Sequence, residues 1–469
     1  MARLVVVSNR VPLPGESQRA GGLAIVLQDV MDSVGLWFGW SGKTAPDGEN
    51  EVQTVTHRGT EYATIDLSED EYQKFYVGFA NSTLWPLLHF RLGLLEFRRE
   101  DLEGYRAVNK LYADTLLKLL QPDDLIWVHD YHLIPFGGML RRMGMRGRIG
   151  FYLHIPFVPH SVYSALPQGD LLLKDLCEYD VVGFQTEEHR NDFLDTVRQS
   201  LGHEITEDGV IQVPGRPVQT IVAPVGIDAL AFGRQAVRAA GSKNNKRLTD
   251  SLAGRYLMIG VDRLDYSKGL PNRFEAFNRL LTRFPEHSQH VSYLQVAVPS
   301  REDVGEYASL RPVLNRMAGD INGRHGTFDW VPLRYMSQGV SRGTLAGFHR
   351  ISRVGLVTPL RDGMNLVAHE YIAAQNPEDP GVLVLSRFAG AASYFQDALI
   401  VNPNDPDEIA EAMHTALTMP LPERRLRHAR LFENVLRLTA TSYCQTFLNA
   451  LSADSRGGVK VTDEPPLSR

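Results

Sequence analysis

Tyr256-Leu257-Met258-Ile259-Gly260-Val261-Asp262-Arg263-Leu264-Asp265-Tyr266-Ser267-Lys268-Gly269-Leu270-Pro271 is the stretch that decides the fold. Residues 256–261 are an apolar run without alternation, the pattern of a strand buried on both faces of a parallel sheet. The strand ends at Arg263. A helix starts after Pro271, where an amphipathic pattern runs over 272–283. Arg263 and Lys268 therefore share one strand-to-helix loop at the carboxyl end of a buried strand, where doubly wound folds bind their ligands. An arginine fork and a lysine point charge could clamp a diphosphate there. The competing reading is two solvated cations.

The same pattern recurs along the chain. Apolar runs at 4–8, 125–129, 148–154, 181–185 and 219–225 form one series of strands. A second series comprises 256–261, 291–298, 354–358, 382–386 and 399–401. Helical spacing of apolar residues appears at 105–120, 189–201, 272–283, 303–318, 365–374 and 407–418. This order predicts the α/β class, with two Rossmann-like doubly wound domains facing a central cleft. A polar stretch from Arg234 to Arg255 separates the two series. Its segment 241–246 reads as exposed loop, which places the boundary near 226–250. We expect an N-terminal domain over 1–235 and a C-terminal domain over 236–452. Residues 421–453 read as a terminal helix pair whose last helix returns to the N-terminal domain. The tail 453–469 is rich in Gly, Pro and charge and reads as disordered.

Composition limits the partners. Apolar residues are 43% and charged residues 22% of 469, which suits globular domains and excludes bulk disorder. Lys plus Arg is 49 against 55 for Asp plus Glu, a net charge of -6. That balance argues against nucleic acid as a partner but leaves room for a local cluster of cations on a small phosphate. Two cysteines, Cys177 and Cys444, are too few for a disulfide framework or a four-cysteine zinc site. The first apolar run, from Leu4 to Val7, is too short for a signal core, and no stretch approaches the ~18 apolar residues of a membrane span. A cytoplasmic protein without membrane attachment is expected.

Some motifs fail on spacing. Gly42-Lys43-Thr44 ends like a phosphate-binding P-loop, yet position 37 is Trp where that loop needs Gly. No Gly-x-Gly-x-x-Gly occurs, and Gly39-Trp40-Ser41-Gly42 misses the spacing of a serine-hydrolase elbow. His129-Asp130-Tyr131-His132, with His154 downstream, invites a metal. On a strand, however, 130 and 132 share a face while 129 points away, so substrate hydrogen bonding is the stronger reading.

Two further constellations stand beside the first. Val5-Val6-Val7-Ser8-Asn9-Arg10 leads to Ala20-Gly21-Gly22-Leu23 and an apolar helical run up to Val34. Paired glycines let backbone approach a ligand, and a helix N-terminus offers N–H groups to an anion, though a plain turn reads equally well. The other is Val357-Thr358-Pro359-Leu360-Arg361-Asp362-Gly363-Met364-Asn365-Leu366-Val367-Ala368-His369-Glu370. Asp362 and Glu370 would accept hydrogen bonds from sugar hydroxyls, while Asn365, Leu366 and Val367 would offer backbone N–H groups. Asp362 could instead be a helix N-cap.

Together these segments resemble the family of trehalose-6-phosphate synthases, retaining glucosyltransferases of the GT-B fold. The resemblance extends over about 1–450 and includes Leu36-Trp37-Phe38-Gly39-Trp40-Ser41-Gly42, His154-Ile155-Pro156-Phe157, Gly183-Phe184-Gln185-Thr186-Glu187 and Phe388-Ala389-Gly390-Ala391-Ala392. It implies transfer of glucose from UDP-glucose to glucose 6-phosphate, with the acceptor on the N-terminal domain and the nucleotide sugar on the C-terminal one. By motif it implies acceptor contacts from Arg10, Tyr76, Asp130 and Arg301, with Trp40 and Trp85 as aromatics around the acceptor. It implies diphosphate contacts from Gly21, Gly22, Arg263 and Lys268. His154 and Asp362 would touch the donor glucose, and Leu366, Val367 and Glu370 the uridine part. Arg263, Lys268, Asp362 and His154 would then be the catalytic set, acting by front-face return. UDP-glucose is a co-substrate, no cofactor or metal is implied, and a homo-oligomer is compatible.

Three departures fall on the donor half. Position 369 is His where the family more often has Lys. Ser393-Tyr394-Phe395 stands where an acidic residue and Leu are typical, and Val340 where a larger residue lines the base pocket. They leave the donor nucleotide (uridine, adenosine or guanosine) open. A relative with another phosphorylated acceptor, such as a glucosylglycerol-phosphate synthase, and a non-catalytic sugar-phosphate sensor also stay open.

Overall fold

The structure, a computed structural model, describes residues 2–14, 34–48, 50–300 and 305–453. Strand β1 (Leu4–Arg10) divides its side chains between two cores. Val5 and Val7 join one apolar cluster, and Leu4 and Val6 join another. Where a strand is buried on both faces, as over Leu4–Val7, apolar residues are favoured at successive positions, which is why the run lacks alternation.

With β1, strands β2 (Val34–Thr44), β3 (Gln53–His57), β4 (Thr60–Leu67), β5 (Leu125–His129), β6 (Ile149–Tyr152), β7 (Val181–Phe184), β8 (Val210–Ile211) and β9 (Val218–Val222) build, among the described residues, a nine-stranded sheet. Its order is β3-β4-β2-β1-β5-β6-β7-β9-β8. It is parallel except for antiparallel β3 and β8 at its two edges. Among the described residues the second sheet has six strands: β10 (Tyr256–Arg263), β11 (Val291–Val298), β12 (Leu333–Met336), β13 (Val354–Val357), β14 (Val382–Ser386) and β15 (Leu399–Val401). Its order is β12-β11-β10-β13-β14-β15, parallel throughout. In β10, Leu257 and Ile259 face one core and Met258 the other.

The α/β expectation holds, and the differences have physical reasons. Strands β2, β3, β4, β8 and β12 escape the sequence reading. β2 mixes Gly and Trp and ends polar, while β3 is exposed along its whole length, so neither carries a buried-strand pattern. The turn joining β3 to β4 has positive φ at Arg58 and Gly59, the primed hairpin geometry that an Arg-Gly pair signals weakly. The stretch read as exposed loop is helical instead. Helices Ala229–Ala240 and Lys243–Leu252 meet at Gly241, and Ser242 caps the second by accepting from Asn245 N–H. Asp228 caps the first in the same way.

Helix Ala440–Ser452 packs on the first sheet although it follows the second in sequence. Phe447 stacks on Trp127 with ring centres 4.6 Å apart, and Arg148 donates to Leu451 O at 3.0 Å. Among the described residues no helix is long and apolar enough to cross a membrane. The Gly21-Gly22 loop, the helical run that follows it, Arg301 and the tail from 454 lie outside the described residues.

Candidate active site

β10 delivers Arg263 at its carboxyl end, and the turn Tyr266–Lys268 follows. Asp265 holds this turn by accepting from Ser267 N–H at 2.9 Å. Gly269 then takes φ 65°, and a Cβ there would lie 2.6 Å from Thr358 O, so both conformation and space demand glycine. Helix Leu270–Arg283 starts at once, with Pro271 inside its first turn. Arg273, fully buried on that helix, pairs with Asp262 at 2.6 Å. It also donates to Thr358 Oγ1, Gln295 Oε1 and Lys268 O. One guanidinium thus ties β10, β11, the segment after β13 and the Lys268 loop together.

Lys268 Nζ reaches Asp362 Oδ2 at 2.5 Å, and Asn365 Nδ2 donates to the same oxygen at 3.0 Å. Burial pushes the Asp362 carboxyl up. Lys268, by charge and hydrogen bond, then His89 and Arg263, outweigh it and hold the group below its ordinary range. Asp362 is not the helix cap: that position before helix Leu366–Ala374 belongs to Asn365, at φ 76°. Glu370, in the second turn of that helix, accepts from Arg342 Nε at 2.9 Å. Burial raises its pKa, and Arg342 only partly offsets this. Leu366 and Val367 pack against the apolar cluster of this lobe, as does Val340.

The other wall comes from the first sheet. Arg10 stands exposed at the carboxyl end of β1, in register with Trp40 on β2. Trp40, Tyr72, Tyr76 and His132 form an aromatic group: Trp40 and Tyr76 are 6.0 Å apart, and Tyr76 stacks on His132 at 5.7 Å. Tyr76 rides on a π-helix, Tyr72–Leu84, in which Asn81 Nδ2 donates back to Tyr76 O at 2.8 Å. Such wide turns are rare and cluster at functional sites. Asp130 follows β5 at φ 76°, a strained conformation for a residue with a Cβ. Its Oδ1 accepts from His154 N–H at 3.2 Å. His154 and His129 face each other at 3.0 Å, and burial pushes the pKa of His154 down to about 3, so the pair is neutral.

The walls touch. The Arg263 guanidinium lies 5.6 Å over the Trp85 ring, a cation–π contact between the sheets. Arg361 donates to Glu188 Oε1 at 2.8 Å and sits 3.9 Å over Phe90. Tyr394 OH donates to Gln185 O at 2.9 Å. Gly363 is pressed against the backbone of His154. The structure thus gathers Arg263, Lys268, Asp362, Asn365, His154 and Trp85 around one cleft, with two cations at the carboxyl ends of parallel strands. That arrangement can take a diphosphate ester on one wall and a second polar ligand on the other. Sequence reading missed Arg342 and Glu188, which stand in no motif. His129 entered only through the metal reading set aside above, and Arg361 only as the neighbour of Asp362. Two departures meet each other: His369 and Phe395 are fully buried with ring centres 4.7 Å apart.

The sequence pattern of Glycosyltransferase family 20 matches residues 3–453. The chain belongs to glycosyltransferase family 20. Family members named trehalose-6-phosphate synthase from Sinorhizobium fredii and Citrobacter koseri are each 45% identical to it. The matches cover 97% and 100% of this chain and 99% and 100% of those proteins. The crystal structure of an alpha,alpha-trehalose-phosphate synthase (UDP-forming) from Burkholderia vietnamiensis is 45% identical, with a TM-score of 0.93 over 96% of this chain and 97% of that one. The Burkholderia xenovorans enzyme in complex with glucose-6-phosphate is 42% identical, with a TM-score of 0.93 over 96% of this chain and 100% of that one. The E. coli protein bound with UDP-2-fluoro glucose is 45% identical, with a TM-score of 0.90 over 96% and 99%. As a family 20 glycosyltransferase the chain has the GT-B architecture that its sequence led us to expect.

Proposed function

We propose that this glycosyltransferase moves glucose from UDP-glucose to glucose 6-phosphate, giving α,α-trehalose 6-phosphate and UDP. The observation that carries the reading is the buried Lys268–Asp362 pair beside Arg263, facing His154 and Trp85 across the cleft. Full-length identity near 45% to trehalose-6-phosphate synthases supports the substrates. The lobe built on the first sheet holds the acceptor, and the lobe built on the second sheet holds the donor.

Arg263, Lys268, Gly21 and Gly22 contact the diphosphate. Asp362 and His154 hold the donor glucose. Asn365, Leu366 and Val367 offer backbone N–H groups, and Glu370 takes the ribose hydroxyls once Arg342 yields or shares its oxygen. Arg10 and Arg301 fork the 6-phosphate, Tyr76 donates to it, and Asp130 orients the sugar between Trp40 and Trp85. The bond between glucosyl C1 and the diphosphate oxygen breaks, and the acceptor hydroxyl attacks C1 on the same face. Its proton passes to a diphosphate oxygen, so the α configuration is retained. Arg263 and Lys268 stabilise the charge growing on the leaving diphosphate, so we propose that no metal is required. Closure of the lobes excludes water that would otherwise hydrolyse the donor. Both substrates are phosphorylated metabolites of the cytoplasm, which supports action there.

Nucleotide release measured over a grid of UDP-, ADP- and GDP-glucose against glucose 6-phosphate and glycerol 3-phosphate tests this. Turnover should be best with UDP-glucose and glucose 6-phosphate. Turnover only with glycerol 3-phosphate, or release from no pair, would overturn the reading. Arg10→Ala should raise the glucose 6-phosphate KM by about 10- to 100-fold, since a charge-assisted hydrogen bond contributes ~1.5–3 kcal/mol. The donor KM should hold; an unchanged acceptor KM would remove Arg10 from the site.

A further inference from the structure

On the second lobe, well away from the cleft, two elements bring three metal-ligating side chains together. Helix Leu270–Arg283 is followed by the short turn Pro285–His287, which meets helix Pro406–Thr418. His287 Nε2 and His414 Nδ1 are 2.9 Å apart, and Glu286 Oε1 is 3.6 Å from the same His414 nitrogen. One donor atom from each of the three residues lies within 4.8 Å of the others. His287 is buried, His414 half-buried and Glu286 exposed, so an ion would have a protein side and a solvent side. The Phe284 ring stacks on His414 at 4.1 Å with planes 13° apart.

We propose that Glu286, His287 and His414 form a binding site for a first-row divalent transition-metal ion, of which zinc is the reference case. Two neutral imidazoles and a carboxylate, with solvent in the fourth position, are a common ligand set for that ion. The ring geometry suits it. Two imidazoles on one tetrahedral zinc, with Zn–N near 2.1 Å, place their ring centres about 5.2 Å apart. Here the centres of His287 and His414 are 5.1 Å apart, so the rings need only pivot to exchange their shared proton for a metal. The alternative occupant of the gap is that single proton, in a His–His hydrogen bond. Helix Leu270–Arg283 starts beside Lys268, and its 14 residues place the cluster about 20 Å from the cleft. The ion would therefore clasp two helices of the donor lobe without touching substrate.

The full-length chain, stripped with chelator, would be titrated with Zn²⁺ against a chromophoric competitor, beside His414→Ala and Glu286→Ala. The wild type should bind one equivalent that His414→Ala loses and Glu286→Ala weakens at least about tenfold. Saturating Zn²⁺ should raise the wild-type Tm by about 2 °C or more and leave that of His414→Ala unmoved. Glucosyl transfer by metal-free His414→Ala should equal that of the metal-free wild type. No stoichiometric binding by the wild type, or equal binding by His414→Ala, overturns the site. Loss of transfer in metal-free His414→Ala would overturn its separation from the cleft.

Discussion

Lys268→Ala should lower kcat by about 10²–10³-fold, the usual consequence of removing one preorganised donor from developing negative charge. Lys268 is nine-tenths buried and lies 2.5 Å from Asp362. Its removal strips the leaving diphosphate of a cation and leaves Asp362 buried without its main counter-charge. Breaking such a pair from one side typically costs about 3–5 kcal/mol, so Tm should fall as well. The Asp362 carboxyl should rise in pKa, because burial already pushes it up and Lys268 is the first of the influences holding it down. The acidic limb of the kcat profile should therefore move to higher pH. Adding Asp362→Asn separates the two effects, since it removes the orphaned charge but restores no cation. The double variant should recover Tm and remain slow. Lys268→Ala with kcat within about threefold of wild type would make Lys268 a purely structural partner.

Gly363→Ala should lower kcat/KM by about 10²-fold or more through geometry alone, since a misplacement near 1 Å costs that much. A Cβ at Gly363 would lie 2.0 Å from His154 O and 3.0 Å from Ile155 Cα, both backbone atoms of the opposite lobe. Neither can turn aside as a side chain could. The loop bearing Asp362 would have to retreat until that contact is ordinary, taking Asp362 away from His154. UDP binding, which the proposal places on the second lobe, should stay within about threefold of wild type, and Tm should change little. Activity near wild type would show that the reactive state does not close on the Gly363–His154 contact.

Much of this protein was legible from local pattern. The runs at 4–8 and 256–261 show as strands in the sequence because burial from two sides favours apolar residues at successive positions. Asp405 caps helix Pro406–Thr418 by accepting from Asp407 and Glu408 N–H, as its residue type favours. Strand β3 was invisible because it is exposed at an edge and carries no apolar signal. Helix Lys243–Leu252 reads as loop because charged and polar residues dominate it and leave little apolar periodicity.

By itself the sequence determined the α/β class, the two strand series and the cations at the carboxyl ends of their strands. Those depend on short-range periodicity and on the rule that links strand ends to ligands. Only the tertiary structure decided the pairings. Lys268 meets Asp362 across 94 residues, Arg361 meets Glu188 across 173, and Arg342 takes Glu370 rather than solvent. It also made Asp362 an ion-pair partner instead of a helix cap. The physical reason is that a charge finds its partner through strand order and lobe contact, which carry no periodic trace along the chain.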